Sequence, residues 1–317
     1  MKNVSFIIPN YNAESTIGET VESIFMQKYN GKFEVIVVDD KSKDNSLKIL
    51  SKFKKNRNFK LILNEKNIGL GKGLNKAIEL SKYDILVIVW CDFVLVDDNW
   101  LTKMIEKFNS DDKIGCVMSN LFLSREVWQK YSFWDKVNTL DEYIRNIKKI
   151  KFGKLTLFDK KKMKELGMYD TKTFRIAGED TDLRLRLSKK GYKIVMGNTR
   201  IIHLHGFYKL SFLERLIKKA LPLAEASGVL FRKHFYLESK YRNAVFYTLI
   251  YLLALIPSFI RPLFLFILIL MLLIYTLKVF IYIKDIRIIF VPFYKFFKDL
   301  ISLFGFWKGF ITKKQEF

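Results

Sequence analysis

Carboxylates gather at three points in this 317-residue chain, each beside an apolar run. The first is V-V-D-D-K-S-K-D, residues 37–44. Two adjacent carboxylates at the end of a buried strand repel each other, so each needs donors of its own. Asp44 suits the cap of a following helix. Asp40 suits hydrogen bonds from a nucleobase N–H edge or from ribose hydroxyls. The second point is V-W-C-D-F, residues 89–93, where Asp92 is placed to bind a divalent cation that neutralises a diphosphate. One carboxylate leaves the rest of that shell to water and substrate phosphates. The third is A-G-E-D-T-D-L-R-L-R-L, residues 177–187. Asp182 there fits a helix-dipole or capping use, whereas Asp180 suits a general base that takes a proton from an attacking hydroxyl. His203 and His205 are two of only three histidines. At alternate positions of a strand they face one side, a geometry for metal ligation as well as for simple packing.

Two further segments end apolar runs. I-I-P-N-Y-N, residues 7–12, gives a sharp exit with side chains that can meet a ligand, or an ordinary polar turn. N-E-K-N-I-G-L-G-K-G-L-N, residues 64–75, has three alternating glycines. They allow close backbone approach to a ligand, with Lys72 meeting a phosphate, or they form a flexible loop. The spacing is neither that of a P-loop nor of a dinucleotide fold.

The elements that position these residues follow from the same runs. Residues 4–8, 34–38, 60–63 and 85–89 read as short buried strands. Helices are expected over 15–27, 45–53 and 74–81. Alternation at this interval gives an α/β domain with a mostly parallel sheet and helices on both faces. Ligands of such sheets bind at the carboxyl ends of the strands, where the segments above lie.

Taken in order, these motifs resemble family 2 inverting glycosyltransferases of the GT-A (Rossmann-like) fold, over roughly residues 1–207. The resemblance implies that Pro9, Tyr11 and Asp40 bind the nucleoside, with Lys72 and Asp92 also on the donor. Asp180 matches the catalytic base, with Glu179 on the acceptor side. Asp92 matches the second Asp of the Asp-x-Asp metal motif, and His203 or His205 an added ligand to Mg2+ or Mn2+. In the register set by residues 94–101, Trp90 replaces the first Asp; in a gapless register, Cys91 and Phe93 replace both. No Gln-x-x-Arg-Trp motif follows residue 207, so single addition is expected rather than polymerisation. The substituted metal motif leaves a second reading, a catalytically inactive membrane-bound sugar-nucleotide-binding or scaffold protein.

Composition points to a membrane. Lys and Arg outnumber Asp and Glu by 55 to 32, yet half the residues are hydrophobic and 29 are Phe. A nucleic-acid partner accounts for the charge but not for the apolar excess, whereas an anionic membrane face accounts for both. Residues 208–242 read as an amphipathic interfacial segment, with Leu213, Leu216, Ile217, Ala220, Ala224 and Leu230 on one side. Residues 243–284 read as a two-helix transmembrane hairpin broken near Pro257–Pro262, and 285–317 as an amphipathic membrane-surface tail. Basic residues flank the hairpin on its outer sides, which orients both ends, and the catalytic domain, toward the cytoplasm. No leader is expected before the first strand, and the two cysteines, Cys91 and Cys116, suggest no disulfide framework. The expected partners are a nucleotide-sugar donor, a lipid-linked or glycolipid acceptor, and membrane lipid. From Arg145 to Lys164 run nine basic residues and one acidic one, read as a solvated face or as a surface toward headgroups or an anionic substrate.

Overall fold

The computed structural model describes residues 2–149, 153–204, 211–236 and 261–315. The chain divides into two compact units. The first holds residues up to Trp128, Glu142–Thr171 and Glu179–Tyr208. Its strands are β1 (Val4–Asn10), β2 (Phe33–Asp39), β3 (Phe59–Leu63), β4 (Ile85–Ile88), β5 (Phe93–Leu95), β6 (Ile114–Phe122), β7 (Gly153–Asp159) and β8 (Lys193–His203). They form one sheet in the order β3-β2-β1-β4-β7-β6-β8-β5. The β3-β2-β1-β4 half is parallel. In the other half, β7 runs antiparallel to both its neighbours, and β5 is antiparallel to β8.

Alternation along β1 explains its unbroken apolar run. Phe6 and Ile8 enter one core with α1 (Ile17–Phe25), α2 (Ser46–Ser51) and α4 (Trp100–Phe108). Ile7 enters the other, with α3 (Leu70–Leu80), α7 (Lys160–Glu165) and α8 (Glu179–Lys189). A strand covered on both faces is apolar on both, and its buried polar residues, Ser5 and Asn10, each donate to a carboxylate, Glu34 and Asp39. Between α4 and α7 the chain also forms α5 (Arg125–Gln129) and α6 (Phe133–Ile147), the latter running from one unit into the other.

The glycine segment is not a loop throughout. Gly69 has φ +88° and turns the chain, but Gly71 and Gly73 are buried in the first turns of α3. A Cβ on Gly71 would stand 3.1 Å from Thr171 Cγ2, so this position serves close packing, whereas one on Gly73 would make ordinary contact with Val38 at 3.5 Å. The basic run Arg145–Lys164 resolves into the end of α6, β7 and α7. Several of its lysines fold back onto protein: Lys160 donates to Ser81 O, and Lys162 to Asp112 O and Ile114 O.

The second unit comprises Gln129–Asp141, Lys172–Gly178 and the chain from Lys209 onward. A short helix α9 (Phe212–Arg215) passes through a π turn (Leu216–Ala220) into α10 (Leu221–His234); α11 (Arg261–Tyr282) and α12 (Val291–Thr312) follow. Leu216, Ala220, Ala224 and Leu230 are buried within this unit, whereas the interfacial reading turns them toward lipid, and Leu213 and Ile217 are exposed. The wider π turn shifts the angular phase of the helix, so they leave the face that a regular 3.6-residue period assigns them. Helices α10 and α12 cross at glycines. A Cβ on Gly228 would stand 1.9 Å from Phe306 O, and one on Gly309 1.9 Å from Glu225 O. On the outer side of α12, Phe293, Phe297, Phe304 and Trp307 are exposed. Gln315 follows this helix: its side-chain oxygen accepts from the backbone N–H groups of Arg175, Ile176 and Ala177 at 3.0, 2.8 and 3.2 Å. Its Nε2 donates to Pro222 O at 2.9 Å.

Among the described residues, Pro262–Tyr282 is the one helix long and apolar enough to cross a membrane, with hydropathy 2.7 over its most apolar window. The other expected span, residues 243–260, lies outside the described residues.

Candidate active site

Parallel pairing brings the ends of β1, β2 and β4 to one sheet edge, and polar contacts stitch the turns there. Asp39 accepts from Asn10 Nδ2 at 2.7 Å and from the Ser42 hydroxyl and backbone N–H. Asp40 faces other donors, the backbone N–H groups of Ile68 and Gly69 at 2.8 and 2.9 Å and Asn64 Nδ2 at 3.1 Å. The adjacent carboxylates are thus reconciled by pointing to separate donor sets. Asp40 holds the turn before α3, and three of its acceptor positions are taken within the chain. Asp44 is not the cap of α2, which Asn45 occupies; it accepts from Ser46 N at 3.0 Å and from Glu14 N at 2.9 Å, tying the turn before α2 to the segment after β1. Pro9 is buried in β1, Tyr11 stands 45% exposed beyond it, and Lys72 is exposed on the first turn of α3.

The pairing of β5 with β8 sets Phe93 opposite His203. His203 Nε2 lies 3.2 Å from Asp92 Oδ2, and its Nδ1 lies 3.5 Å from Glu142 Oε1. Burial pulls the imidazole pKa down, but Asp92 and then Glu142 outweigh it and push the value up to about 9. His205 lies outside the described residues.

At the start of α8, Glu179 is buried and Asp180 is partly exposed. Burial, then the charge of Asp180, pushes the Glu179 carboxyl up to about 8. Asp180 Oδ2 lies 3.3 Å from Lys154 Nζ, and that ammonium also sits 5.6 Å above the centre of the Trp90 ring. Asp182 corrects the capping reading. Its side chain is fully buried and accepts from Arg186 Nε at 2.7 Å, while Arg186 donates to the carbonyls of Leu166 and Met168. It is a structural anchor inside the unit.

The structure therefore joins Asp92 with His203, and Asp180 through Lys154 with Trp90, within one unit. Glu142 and Lys154 escape a motif search. Glu142 sits mid-helix, far in sequence from His203, and Lys154 lies in a basic stretch that reads as surface. Asp92 offers one carboxylate oxygen to Mn2+ or Mg2+, whose other ligands would come from water and diphosphate, and His203 adds a nitrogen only in its neutral form. Among the described residues no group of three or more His, Cys, Asp or Glu is placed to hold an ion.

Comparison with known proteins bears on the family and the fold. The sequence pattern of Glycosyl transferase family 2 matches residues 5–167. Poly-beta-1,6-N-acetyl-D-glucosamine synthase of Staphylococcus epidermidis is 32% identical over 183 residues, covering 54% of this chain and 43% of that protein. Its Staphylococcus aureus (strain COL) counterpart is 30% identical over 206 residues, 61% of this chain and 48% of the relative. The chain thus spans less than half the length of either synthase. A Pyrobaculum calidifontis mannosyltransferase, solved with GDP-Man and Mn2+, superposes with a TM-score of 0.60 at 17% identity, over 95% of this chain and 86% of that one. GalNAc-T7, solved with UDP, GalNAc and Mn2+, gives 0.52 at 16% identity, over 73% and 48%. At such identities these two likenesses speak for the GT-A fold.

Proposed function

The chain belongs to glycosyl transferase family 2, and we propose that it moves one sugar, with inversion, from a nucleotide-sugar donor to a lipid-linked or glycolipid acceptor at a membrane. The observation that carries this reading is the Lys154 bridge, which ties the acidic start of α8 to the end of β4, beside the Asp92–His203 pair. A base and a phosphate-neutralising group then belong to the same site.

In this reading Pro9, Tyr11 and Asp40 hold the nucleoside and Lys72 meets the phosphates. Asp180 takes the proton of the acceptor hydroxyl as its oxygen attacks the anomeric carbon. The bond from that carbon to the diphosphate breaks on the opposite face, and configuration inverts. Glu179, protonated over much of the neutral range, offers the acceptor a hydrogen-bond donor beside the base. When bound at Asp92 and His203, Mg2+ or Mn2+ supplies positive charge to the departing diphosphate.

The synthase relatives support an N-acetylhexosaminyl donor, and a hexosyl donor remains within the class. Helix α11 and the exposed aromatics of α12 support membrane attachment; to this the reading adds a second span over residues 243–260, a cytoplasmic catalytic unit and a lipid-borne acceptor. Trp90 favours one other reading, an inactive protein that only binds sugar nucleotides. The two separate in a screen of purified full-length protein against a panel of nucleotide sugars, with membrane lipid extract as acceptor. The transferase reading expects release of nucleoside diphosphate that depends on the extract. Binding of a nucleoside diphosphate without turnover of any donor would defeat it.

A further inference from the structure

We propose that Lys154 is a donor-responsive cover on the base: it pairs with Asp180 while the donor site is empty and shifts to the diphosphate when donor binds. This rests on the reading of Asp180 as base and of this sheet edge as the donor site.

The position of Lys154 follows from strand register. Strand β7 pairs antiparallel with β4, Ile85 opposite Asp159 and Val87 opposite Leu157. The same register, continued beyond the end of β4, sets Lys154 level with Trp90. The ammonium therefore stands where the strand gives out into the turn that carries Asp92. In the register that aligns Asp92, residue 90 is the place of a second carboxylate in the resembling motif, and Trp90 provides an uncharged aromatic face instead. A ring attracts a cation through its quadrupole without neutralising it, so Asp180 is the anion that balances Lys154 there.

That balance is shallow enough to change. The Lys154 side chain is 35% exposed and that of Asp180 19%, so solvent screens the pair, worth about 0–1 kcal/mol at such exposure. A diphosphate brings at least two negative charges and several acceptor oxygens, and charge-assisted hydrogen bonds of this type exceed an exposed ion pair. The flexible lysine stem allows the move without backbone motion. Once the ammonium has left, the Asp180 oxygen it occupied is open to the acceptor hydroxyl. In the transfer step that hydroxyl's proton goes to Asp180, its oxygen bonds to the anomeric carbon, and the bond to the diphosphate breaks. The electron pair leaves on the diphosphate, where Lys154 stabilises it without giving up a proton. The base is thus uncovered only when a leaving group is present.

The test is calorimetric binding to full-length protein in detergent. ADP, GDP, CDP, UDP and dTDP are each compared with their own nucleoside, using wild type, Lys154→Met, Lys154→Arg and Asp180→Asn. For the diphosphate that wild type binds, Lys154→Met should lose roughly 10–100-fold in affinity, with nucleoside affinity unchanged and Lys154→Arg retaining most binding. Asp180→Asn, which releases the lysine, should tighten the diphosphate by up to about fivefold. An unchanged diphosphate-to-nucleoside ratio in Lys154→Met would mean that the lysine only braces Asp180, and the proposal falls. If Lys154→Met fails to fold, the Arg and Asn variants decide: loss of binding in Arg, or no tightening in Asn, overturns it. Wild type that binds no diphosphate removes the donor-site reading as well. Transfer by Asp180→Asn at the wild-type rate removes the base reading, and the lysine's effect on diphosphate binding is then scored by itself.

Discussion

Replacing Asp182 by Asn tests whether this acidic residue is an anchor or a cap. A capping role at the start of α8 would cost about 1 kcal/mol or less on substitution. The structure calls for more. Asp182 has no solvent exposure and pairs with Arg186, whose other nitrogens donate to Leu166 O and Met168 O at 2.5 and 2.7 Å. Those carbonyls flank a turn in which Gly167 and Met168 both have positive φ, +78° and +56°. One carboxylate therefore orients the guanidinium that holds a strained turn. Breaking a buried pair from one side typically costs about 3–5 kcal/mol. Asn keeps one acceptor for Arg186 Nε but no charge, so we expect about 2–3 kcal/mol for Asp182→Asn and about 3–5 for Asp182→Ala. For a unit of this size that is a fall in thermal midpoint of roughly 5–10 °C for Asn. Differential scanning fluorimetry of full-length protein in detergent reads it directly. Nucleoside-diphosphate affinity measured well below the midpoint should stay near wild type. A fall of about 4 °C or less would refute the anchor, as that is all a cap of ~1 kcal/mol would give.

Three other outcomes are expected. Asp180→Asn, two residues away, should leave the thermal midpoint nearly unmoved, because its pair with Lys154 is partly exposed and screened by solvent, while transfer at saturating donor falls about 10²–10⁴-fold; near wild-type transfer sinks the base assignment. Glu179 has a folded-state pKa raised to about 8 from an ordinary 4.5, so the folded form holds the extra proton and stability declines as pH rises through that interval. Glu179→Gln should lack this decline, with a gain over wild type that is absent near pH 4.5 and reaches at most about 5 kcal/mol above pH 8; parallel stability curves for the two proteins would contradict it. Gly309→Ala should destabilise the helical unit by about 1–3 kcal/mol by overpacking against Glu225 O, although helix propensity alone predicts a gain of about 1 kcal/mol; faster limited proteolysis of the variant is the readout, and equal or slower cleavage counts against the close crossing.

The parallel half of the sheet was legible because burial on both faces leaves an unbroken apolar run, and each run ended in the side chains that proved to line the edge. The antiparallel half was not. Strand β7 lies inside a lysine-rich stretch whose charge hides its alternation, and so Lys154 read as surface. Glu142 reaches His203 from the middle of a helix, and no local spacing records a contact made by tertiary packing. Asp182 shows the limit from the other side. An acidic residue in a helix's first turn looks the same in sequence whether it caps the helix or pairs inward, and only its burial tells. Gly71 and Gly73 likewise look like loop residues until Thr171 and Val38 are seen against them.

The Gln315 contact carries a consequence in time. Its oxygen serves the amides of Arg175, Ile176 and Ala177, from 138 to 140 positions earlier in the chain. At about 5–20 residues per second, a ribosome spends roughly 7–28 s between making Ala177 and making Gln315. The segment that leads into Glu179 and Asp180 therefore leaves the ribosome long before its acceptor exists. Throughout that interval α10, α11 and α12 are still emerging. The nascent chain reaches its apolar helices with the approach to its acidic pair not yet held by this contact, which waits for a glutamine beyond α12.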